Sequence, residues 1–600
     1  MRNKKSIISI LSLVLLLATI AVQAAEPKLS IRSLGDSHSL VQIENPSKYI
    51  LLPIQESAKE ARIYYVVNND VKGNFNVRLA IDSIDYYVPM ELGTYSNQSI
   101  TLSIQWVDDQ AICWDNIQLS ETFDTTNRES LRPAYHFAPK YGWMNDPNGM
   151  FYKDGVWHLY YQYNPYGSMW GNMHWGHASS TDLIHWEHHP IALQPDALGA
   201  IFSGSCIVDS NNTAGFGKDA IIAFYTSASD RQMQSMAYST DNGMSFNKYD
   251  ANPIVTSSLR DFRDPKVIWH EESKKWIMVL AAGQEMQFYS STNLKEWTYE
   301  SSFGQRHGSH DGVWECPDLL KLPIEGTNEH RWVLLCNINP GGPFGGSATQ
   351  YFTGNFDGKQ FVCESDKDVI KWMDFGKDHY ATVSFSNAPS GRHTVMAWMS
   401  NWQYANVVPT TQFRSPNSVP RDLSLFKYNG EVYLRSCPVK ELNALRTETK
   451  RSHKALRLTS KPHEWKTFNT YNNGIYELDF VIKNQDAETV KITLSNDKGE
   501  SICWIYDFVS QMVSFDRTKS GNVDFHPDFP AITSCQLFSE SDETRLRIYV
   551  DKCSVESFGD GGRWCMTNLV FPSEPYSHIN YEAQGGKASI SAEYYPIDMK

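Results

Sequence analysis

The segments STDLIHW (Ser180–Trp186), STDNGMSF (Ser239–Phe246) and STNLKEW (Ser291–Trp297) repeat one short motif along the middle of the chain. A weaker copy, TGNFDGKQF, begins at Thr353. The threonines of the four copies lie 59, 52 and 61 residues apart. A repeat of about 50 residues, with room for four strands in each unit, is typical of the blades of a β-propeller. In each copy an aromatic residue follows a polar turn, and we expect it to pack between neighbouring blades.

Five apolar, strand-like runs accompany the motif, and their number predicts the number of blades. Short runs of this kind, separated by Gly, Asn, Asp and Pro, are typical of all-β proteins. The runs are Val156–Tyr163, Ala220–Thr226, Lys275–Ala281, Arg331–Asn337 and Arg392–Ser400. A β-sandwich array with chance similarity is the alternative interpretation. We predict a five-bladed β-propeller at residues 133–435.

Two further β-rich regions flank the predicted propeller, as the length of 600 residues allows. Residues 25–127 alternate polar and apolar side chains at Val77–Val88 and Ser99–Trp106, which predicts an extra N-terminal β-rich accessory domain. Residues 445–600 contain six short strand-like runs that fit a two-sheet C-terminal β-sandwich. The predicted fold class is therefore all-β throughout.

The first 24 residues have the layout of a secretory signal peptide. Arg2, Lys4 and Lys5 precede the apolar run Ile7–Val22, and small residues follow at the expected cleavage point. An N-terminal membrane anchor is the alternative, but the run is short for a spanning helix. No later stretch is long and apolar enough to span a bilayer. We expect a secreted or periplasmic protein without an integral membrane segment after cleavage.

The net charge and the amino-acid composition exclude some classes of binding partner. The formal net charge is -14, and an acidic surface repels nucleic acid and anionic membranes. Aromatic residues make up 13% of the chain; their rings stack on sugars but also fill β cores. The ten cysteines show neither C-x-x-C pairs nor zinc-ligand spacing. We predict no nucleic-acid partner, no metal and no cofactor, whereas disulfide pairing and oligomeric state stay open.

Three carboxylates lie in unusual settings, each shortly before one of the strand-like runs. Asp146 lies in WMNDPNG, Asp264 in FRDPK and Glu315 in WECPDL. Each is followed, directly or one residue later, by proline, which stiffens the backbone and fits only edge or irregular strand positions. Because the innermost strands of a propeller converge on its axis, we expect all three carboxylates to face one axial cavity.

A pair of carboxylates fits the cleavage of a glycosidic bond. One attacks the anomeric carbon while the other protonates the leaving oxygen, so the two must differ in proton affinity. We expect Trp314 to favour the neutral form of Glu315, and Asn145 and Asn148 to support the charged form of Asp146. Turn capping is the structural alternative for each motif taken alone.

These motifs make the chain resemble glycoside hydrolase family 32, which contains invertases, inulinases and levanases. The resemblance runs from about His136 to the end of the chain. It is carried by WMNDPNG at Trp143, FSGS at Phe202, RDPK at Arg263, ECPDL at Glu315 and WMSNWQYA at Trp398.

The resemblance implies a retaining hydrolase that releases fructose from levan or inulin, and from sucrose. It implies that Asp146 is the nucleophile, Glu315 the general acid/base, and Asp264, with Arg263, the group that holds fructose hydroxyls in the transition state. The two reacting carboxyls are then expected about 5–5.5 Å apart. The implied sugar-binding shell consists of Asn145, Gln162, Trp170, Phe202, Ser203, Arg263, Tyr380 and Trp398.

Several alternatives remain open at this point. They are fructosyl transfer from the same intermediate, a non-catalytic sugar-binding propeller, and an inverting five-bladed enzyme that acts on arabinose or xylose polymers. The preference for β-2,6 or β-2,1 linkages is not readable, while the family favours cutting at chain ends. The N-terminal region departs from the simplest family layout. Its aromatic residues Trp106, Trp114, Tyr86 and Tyr87 are candidates either for stacking on a sugar or for core packing.

Overall fold

The computed structural model describes residues 26–95, 98–447, 450–466, 468 and 474–599. The predicted signal peptide, residues 1–24, lies outside the described residues. The chain divides into two compact units, Met1–Asp124 and Thr125–Lys600. The described part is 53% strand and 3% helix, which confirms the all-β prediction. Among the described residues, no helix combines the length and the apolar character needed to cross a bilayer.

The described residues of the N-terminal unit form eight strands and one short α-helix, besides a 3-10 turn at Gly93–Tyr95. They are β1 (Lys28–Gly35), β2 (His38–Glu44), β3 (Tyr49–Ile54), β4 (Ala61–Val67), β5 (Asp70–Val77), β6 (Tyr86–Glu91), β7 (Ile100–Gln105), α1 (Cys113–Asn116) and β8 (Gln118–Ser120). One sheet has the order β1-β2-β7-β4-β5 and the other β6-β3-β8. Alternate residues such as Val41, Ile63 and Ile104 are fully buried, so one face of the larger sheet forms the core. The prediction of a strand at Ser99–Trp106 is confirmed by β7.

The prediction of a strand across Val77–Val88 is wrong. β5 ends at Val77, and β6 begins only at Tyr86. In the intervening loop, Oε1 of Gln55 accepts hydrogen bonds from the backbone N–H groups of Ile81 (2.8 Å) and Asp82 (3.1 Å). A side chain distant in sequence thus satisfies the donors that a strand would pair with a neighbour.

Five antiparallel sheets form the predicted propeller. Blade 1 contains β9 (Gly142–Lys153), β10 (Val156–Asn164), β11 (His174–Ser180) and β12 (Glu187–Leu193). Blade 2 contains β13 (Ala200–Asp209), β14 (Ala220–Ala228), β15 (Gln232–Ser239) and β16 (Asn247–Lys248). Blade 3 contains β17 (Phe262–His270), β18 (Lys275–Ala282), β19 (Met286–Ser291) and β20 (Thr298–Phe303). Blade 4 contains β21 (Val313–Pro323), β22 (His330–Asn339), β23 (Ala348–Phe356), β24 (Phe361–Cys363) and β25 (Lys371–Trp372).

Blade 5 completes the ring. It contains β26 (Tyr380–Ser384), β27 (Thr394–Trp398), β29 (Arg421–Tyr428) and β30 (Glu431–Pro438), while β28 (Phe413–Arg414) pairs in parallel with β9. The first strand of each blade contacts the first strand of the next, and β26 contacts β9. The five runs predicted from the sequence are the second strands β10, β14, β18, β22 and β27, which confirms the count of five blades.

The repeated motif builds the same turn after the third strand of blades 1, 2 and 3. In each turn a serine hydroxyl donates to the side-chain oxygen of the residue two positions later. The pairs are Ser180–Asp182 (3.0 Å), Ser239–Asp241 (2.6 Å) and Ser291–Asn293 (3.2 Å). The weaker copy differs, because Thr353 lies inside β23 and the turn follows at Asp357.

The prediction that the aromatic residues of the motif pack between blades is confirmed for blades 2 and 3, whereas Trp186 of the first copy lies 5.8 Å from Phe137, which precedes blade 1. The ring of Phe246 in blade 2 lies 5.6 Å from that of Tyr160 in blade 1. The ring of Trp297 in blade 3 lies 5.9 Å from that of Phe224 in blade 2. Blades 1 and 2 therefore each bury an aromatic residue contributed by the next blade.

Two six-stranded sheets form the C-terminal β-sandwich. The strands are β31 (Arg451–Leu458), β32 (His463–Glu464), β33 (Tyr476–Asn484), β34 (Thr489–Ser495), β35 (Ser501–Asp507), β36 (Met512–Lys519), β37 (Ile532–Gln536), β38 (Glu543–Asp551), β39 (Ser554–Gly559), β40 (Trp564–Leu569), β41 (His578–Gln584) and β42 (Ala588–Pro596). The sheet orders are β31-β42-β33-β38-β39-β40 and β32-β41-β34-β35-β36-β37. All ten cysteines of the chain lie within the described residues and are free thiols.

A buried network of charges joins the propeller to the sandwich. Arg421 of β29 donates to Asp374 (2.8 Å) and to Glu556 of β39. The imidazole of His136 lies between Asp551 (2.8 Å) and Glu556 (2.9 Å). Burial by itself lowers the pKa of His136, but the hydrogen bonds to both carboxylates raise the pKa to about 9. The imidazole is therefore charged at neutral pH.

Replacing His136 with Gln is expected to lower the free energy of unfolding near pH 6 by about 3–5 kcal/mol, because two buried carboxylates lose the charge between them. The folded-state pKa of about 9 exceeds the unfolded value of about 6.5. The contribution of the charge is thus complete below about pH 6.5 and disappears as the pH rises through about 9. Thermal melts of both proteins at pH 6 and pH 10 measure this. A gap in melting temperature that is equal at both pH values would contradict the prediction.

Candidate active site

The first strand of every blade departs from regular pairing at corresponding positions. The register shifts fall between Met144 and Pro147 in β9, Phe202 and Gly204 in β13, Arg263 and Lys266 in β17, Glu315 and Asp318 in β21, and Tyr380 and Val383 in β26. Bulges of this kind change the direction in which side chains point. They also free backbone positions from the ladder, which is why proline is tolerated after each carboxylate.

Backbone conformation is unusual at three of these bulges, of which Ala381 in β26, with φ of 55°, is one; the other two lie at or beside the carboxylates. Asp264 has φ of 66° and Cys316 has φ of 43°. Both values lie in the left-handed region, which residues other than glycine seldom occupy and which costs energy. The backbone N–H of Cys316 donates to Oδ2 of Asp264 at 2.9 Å, so the two strained residues hold each other in place.

One cleft of about 290 Å³ brings the three predicted carboxylates together. Its size is near the lower end for small-molecule sites. The cleft is lined by Asn145, Asp146, Gln162, Trp170, Phe202, Ser203, Gln232, Arg260, Asp261, Arg263, Asp264, Glu315 and Trp402. Nine of these side chains are among those that the family resemblance implies.

Asp146 is surrounded by hydrogen-bond donors. It accepts from Ser203 Oγ at 2.5 Å, from Asn145 Nδ2 at 3.0 Å and from Cys316 Sγ at 3.3 Å. Burial raises the pKa of Asp146, and the charge of Glu315 raises it further, whereas the three donors oppose this increase. The donors thus favour the charged form of a carboxylate that burial and a like charge disfavour.

Glu315 has a different environment, in which a cation is the main partner. Arg263 donates to Oε1 of Glu315 through Nε (3.1 Å) and Nη2 (2.9 Å), and the hydroxyl of Tyr380 donates to Oε2. The Glu315 side chain is 20% exposed. It is therefore the member of the pair that solvent reaches more easily.

Asp264 lies against both of the other carboxylates. Burial raises its pKa to about 7; the charge of Arg263 opposes the increase, while Glu315 and Asp146 add to it. Arg263 Nε lies 4.0 Å from Oδ2 of Asp264. Burial lowers the pKa of Arg263, but the charges of Glu315 and Asp264 together raise it above its ordinary value. One guanidinium thus offsets only part of the negative charge in the cleft.

The expectation that Trp314 shields Glu315 is wrong. Its indole Nε1 donates to the carbonyl of Ser309 at 2.9 Å, and its ring packs in the core between blades 3 and 4. Successive residues of a strand point to opposite faces. Trp314 therefore points away from the cleft, and Arg263 and Tyr380 are the neighbours of Glu315 instead.

Trp398, implied as part of the sugar-binding shell, does not line the cleft. It is fully buried, and its indole donates to Ser415 Oγ at 3.0 Å. Its ring lies 4.8 Å from that of Trp402 and 6.3 Å from that of Tyr380. Trp402, from the same WMSNWQYA motif, forms the wall of the cleft. Trp398 supports this wall from behind.

Beneath the carboxylates the axis of the propeller is closed by an ion pair. Lys266 Nζ lies 2.9 Å from Asp318 Oδ2 and donates to the carbonyl and hydroxyl of Ser384, both at 2.9 Å. The space remaining there is about 10 Å³, roughly enough for one water molecule. The cleft therefore has a floor and does not continue through the propeller.

The loop before Tyr380 is anchored by the sandwich. Oδ2 of Asp378 accepts from Arg517 Nη1 of β36 at 2.5 Å and from the N–H of Leu569 at 2.8 Å. Asp374 accepts from the N–H of Thr567 at 2.8 Å. These contacts place the sandwich behind the residue that hydrogen-bonds to Glu315. The sequence analysis assigned no role to these two carboxylates.

Four other residues of the cleft were missed by sequence reasoning. For Asp261 a signal existed, because it stands two residues before Arg263 in the same motif region; its Oδ1 accepts a hydrogen bond of 2.8 Å from Arg263 Nη1. Trp402 lay in a motif that was recognised. Nothing in the sequence marked Gln232 or Arg260. Within the described residues, no group of three or more His, Cys, Asp or Glu side chains is arranged to hold a metal ion.

Comparison with known families agrees with this fold and site. The model of the glycosyl hydrolases family 32 N-terminal domain matches residues 136–436, and that of the family 32 C-terminal domain matches residues 441–596. Residues 35–135 match a domain of unknown function, DUF4980. The chain therefore belongs to glycoside hydrolase family 32, and it is a glycoside hydrolase.

Individual relatives within this family are fructan-degrading enzymes by name. The levanase of Bacillus subtilis (strain 168) is 44% identical over 481 residues, which cover 78% of this chain and 71% of the levanase. The extracellular exo-inulinase inuE of Aspergillus niger is 38% identical over 510 residues, covering 76% and 93% of the two chains. The crystal structure of exo-inulinase from Aspergillus awamori matches with a TM-score of 0.74 and 36% identity, covering 79% of this chain and 99% of that one.

Proposed function

We propose that this protein is a retaining β-fructosidase that releases fructose from the ends of fructan chains and from sucrose. The observation that carries the proposal is the placement of Asp146 and Glu315 in one cleft, where Cys316 and Arg263 link both to Asp264. The names of the relatives, levanase and exo-inulinase, support fructan as the substrate class.

In the first step, an oxygen of Asp146 forms a bond to the anomeric carbon of fructose while the bond to the leaving oxygen breaks. Glu315 gives its proton to that oxygen. In the second step, Glu315 takes a proton from water, whose oxygen attacks the anomeric carbon and releases Asp146. Glu315 is the more exposed of the two, as is appropriate for a group that first protonates the leaving oxygen and then activates a water molecule. The hydrogen-bond donors around Asp146 favour the ionised carboxylate, which is the form that attacks.

Asp264 and Arg263 are proposed to hold the fructose ring. Asp264 lines the same cleft as Asp146, and a carboxylate has two oxygens that accept hydrogen bonds from sugar hydroxyls. Interactions of this type accelerate the reaction when they strengthen in the transition state. Asn145, Gln162, Phe202 and Ser203 complete the proposed sugar-binding wall.

Cutting at chain ends is supported by the closed floor of the cleft. Lys266 and Asp318 block the axis beneath the carboxylates, so a fructan chain has no exit on that side. A terminal fructose unit reaches Asp146 and leaves the rest of the chain at the mouth. We also propose a secreted or periplasmic location, supported by residues 1–24 and by relatives named as extracellular, and the domain boundaries 25–127, 133–435 and 445–600.

The test is incubation of the purified protein separately with levan, inulin and sucrose, with chromatography of the earliest products. Fructose alone is expected from the first samples, and the preferred polymer identifies the linkage. A ladder of oligosaccharides would contradict cutting at chain ends. Larger sugars formed at high sucrose concentration would favour fructosyl transfer over hydrolysis. NMR of the first product tests retention of configuration, because a retaining enzyme releases the β-anomer of fructose first.

Replacing Trp170 with Ala is expected to raise KM for sucrose about 5- to 20-fold with little change in kcat. The ring is 43% exposed at the mouth of the cleft and contacts Phe202 edge-on at 6.2 Å. A ring at the mouth of the cleft that binds the sugar equally in the ground state and the transition state affects KM and leaves kcat unchanged. Steady-state kinetics with sucrose measure both constants; a fall in kcat with constant KM would contradict the proposed position.

A further inference from the structure

Of the tryptophans in the described residues, three have largely exposed rings: Trp106 (60%), Trp170 (43%) and Trp269 (40%). Trp170 lines the active-site cleft. The indole N–H of Trp269 donates to Glu271 at 2.7 Å, and its ring packs on that of Trp276. Trp106 belongs to the N-terminal unit, the part of the chain that matches a domain of unknown function.

The backbone of Trp106 holds this ring out at an energetic cost. Its φ is 70°, a region that bulky side chains rarely enter. The N–H of Trp106 donates to the carbonyl of Ser37 at 2.8 Å, which fixes the conformation. Strain of this kind persists where the surrounding structure enforces it, and it marks candidate functional positions.

A continuous row of polar side chains crosses the sheet directly beside Trp106. His38 pairs with Gln105, Gln105 with Arg62, and Arg62 with Asn76, across β2, β7, β4 and β5. Directly paired residues share one face of a sheet. The opposite face is the buried core, so this row lies on the outer face of the unit.

The groups in this row are oriented by each other. Arg62 Nε donates to Asn76 Oδ1 at 2.7 Å and Nη1 donates to Asn74 Oδ1 at 3.3 Å. The guanidinium lies 6.0 Å from the centre of the Trp106 ring. Tyr64, paired with Asn74, lies in the next row of the same face. We call these residues the Trp106 face: Trp106, Gln105, Arg62, Tyr64, Asn74 and Asn76.

The chemistry of the Trp106 face matches a neutral polyhydroxylated ligand. An exposed indole offers an apolar surface for the C–H groups of a sugar ring. Amide and guanidinium groups at fixed positions offer donors and acceptors for hydroxyls. The acidic chain as a whole, with net charge -14, disfavours nucleic acid as the occupant, and the polar row lacks the apolar centre of a protein interface.

We propose that the Trp106 face binds the fructan chain that the catalytic cleft cuts. This assignment rests on the proposed function for the identity of the sugar. A second binding site in the same chain raises the effective concentration of polymer at the cleft without any new contact in the cleft. It therefore acts on long substrates and leaves sucrose unaffected.

The experiment measures retention of full-length proteins in native gels that contain levan, inulin or dextran, all in a Glu315→Gln background. Trp106→Ala and Arg62→Ala are compared with Trp269→Ala, an exposed tryptophan elsewhere. We expect the parent protein and Trp269→Ala to be retained equally by a fructan and not by dextran. Trp106→Ala is expected to bind about tenfold more weakly, and Arg62→Ala to change in the same direction.

A second measurement separates this proposal from the proposed function. With Glu315 intact, Trp106→Ala should hydrolyse sucrose at the parental rate and show a KM for the fructan raised about tenfold. Absence of fructose release from sucrose by the parent protein would contradict the proposed function and leave the binding data valid. Equal retention of Trp106→Ala and Trp269→Ala overturns the binding site. Retention by dextran as well, or by no polymer, overturns fructan as its ligand.

Discussion

The Asp146→Asn protein is expected to hydrolyse sucrose and fructans at least about 10,000-fold more slowly than the parent, with kcat carrying the loss. The amide has nearly the same shape as the carboxylate but cannot form a bond to the anomeric carbon. The amide oxygen can still accept the hydrogen bond from the Ser203 hydroxyl, so we expect the fold and the substrate site to be unchanged. Stopped assays at saturating sucrose measure the change.

Asp241→Asn is a matched control for this substitution. Asp241 caps the turn after the third strand of blade 2, and asparagine occupies the equivalent position, Asn293, in blade 3. The same chemical change outside the cleft should leave kcat unchanged. Comparable losses in both proteins would contradict the assignment of Asp146.

The Glu315→Gln protein separates the two steps of the reaction. It is expected to lose sucrose hydrolysis to a similar extent, because the leaving oxygen is no longer protonated. Fructosyl fluoride needs no such proton, so it should still react with Asp146. The intermediate then accumulates, since no base activates water. Mass spectrometry should find one fructosyl residue on the peptide with Asp146; attachment to another residue would refute the assignment.

The Asp264→Asn protein is expected to have a kcat about 100- to 1000-fold lower than the parent, which is the usual effect of removing one group that stabilises a transition state. The same protein is expected to be more stable than the parent at pH 8. Burial, with a smaller contribution from the charges of Glu315 and Asp146 and against the charge of Arg263, raises the pKa of Asp264 to about 7. The folded state thus holds this proton more tightly than the unfolded state, whose pKa is about 3.9.

The sign of the pH dependence follows from this difference in proton binding. Between about pH 4 and pH 7 the folded state binds more protons, so stability falls as the pH rises. The ionised carboxylate of Asp264 costs up to about 4 kcal/mol above pH 7, from about three pKa units at 1.36 kcal/mol each. The Asn variant carries no such charge. Its advantage in melting temperature should be largest at pH 8 and vanish near pH 4.

Asp318→Asn provides the contrasting control. Asp318 is a buried carboxylate at 2.9 Å from Lys266, and removing one partner of a buried pair is strongly destabilising. Asp264→Asn and Asp318→Asn are the same type of substitution near the propeller axis, and they are thus expected to change stability in opposite directions. A lower melting temperature for Asp264→Asn than for the parent at pH 8 would contradict the prediction that the ionised carboxylate of Asp264 destabilises the folded protein.

The sequence by itself determined the architecture of this protein. Turn chemistry such as Ser180–Asp182 and the apolar second strands are local features, and they recur with the blades. The position of Asp146, Asp264 and Glu315 on inner strands followed from their place before those runs. The family motifs then predicted the class of enzyme, because a short stretch of chain carries each of them.

Only the tertiary structure decided which side chains meet. Arg263 reaches Glu315 across 52 residues, and Arg517 reaches Asp378 across 139; no local pattern encodes either contact. Trp314 and Glu315 are neighbours in sequence and face apart by ordinary strand alternation, whereas Tyr380, 65 residues away, hydrogen-bonds to Glu315. The sequence determines the elements through short-range hydrogen bonding and periodicity, whereas the pKa values, the floor of the cleft and its wall at Trp402 depend on how strands from all five blades converge.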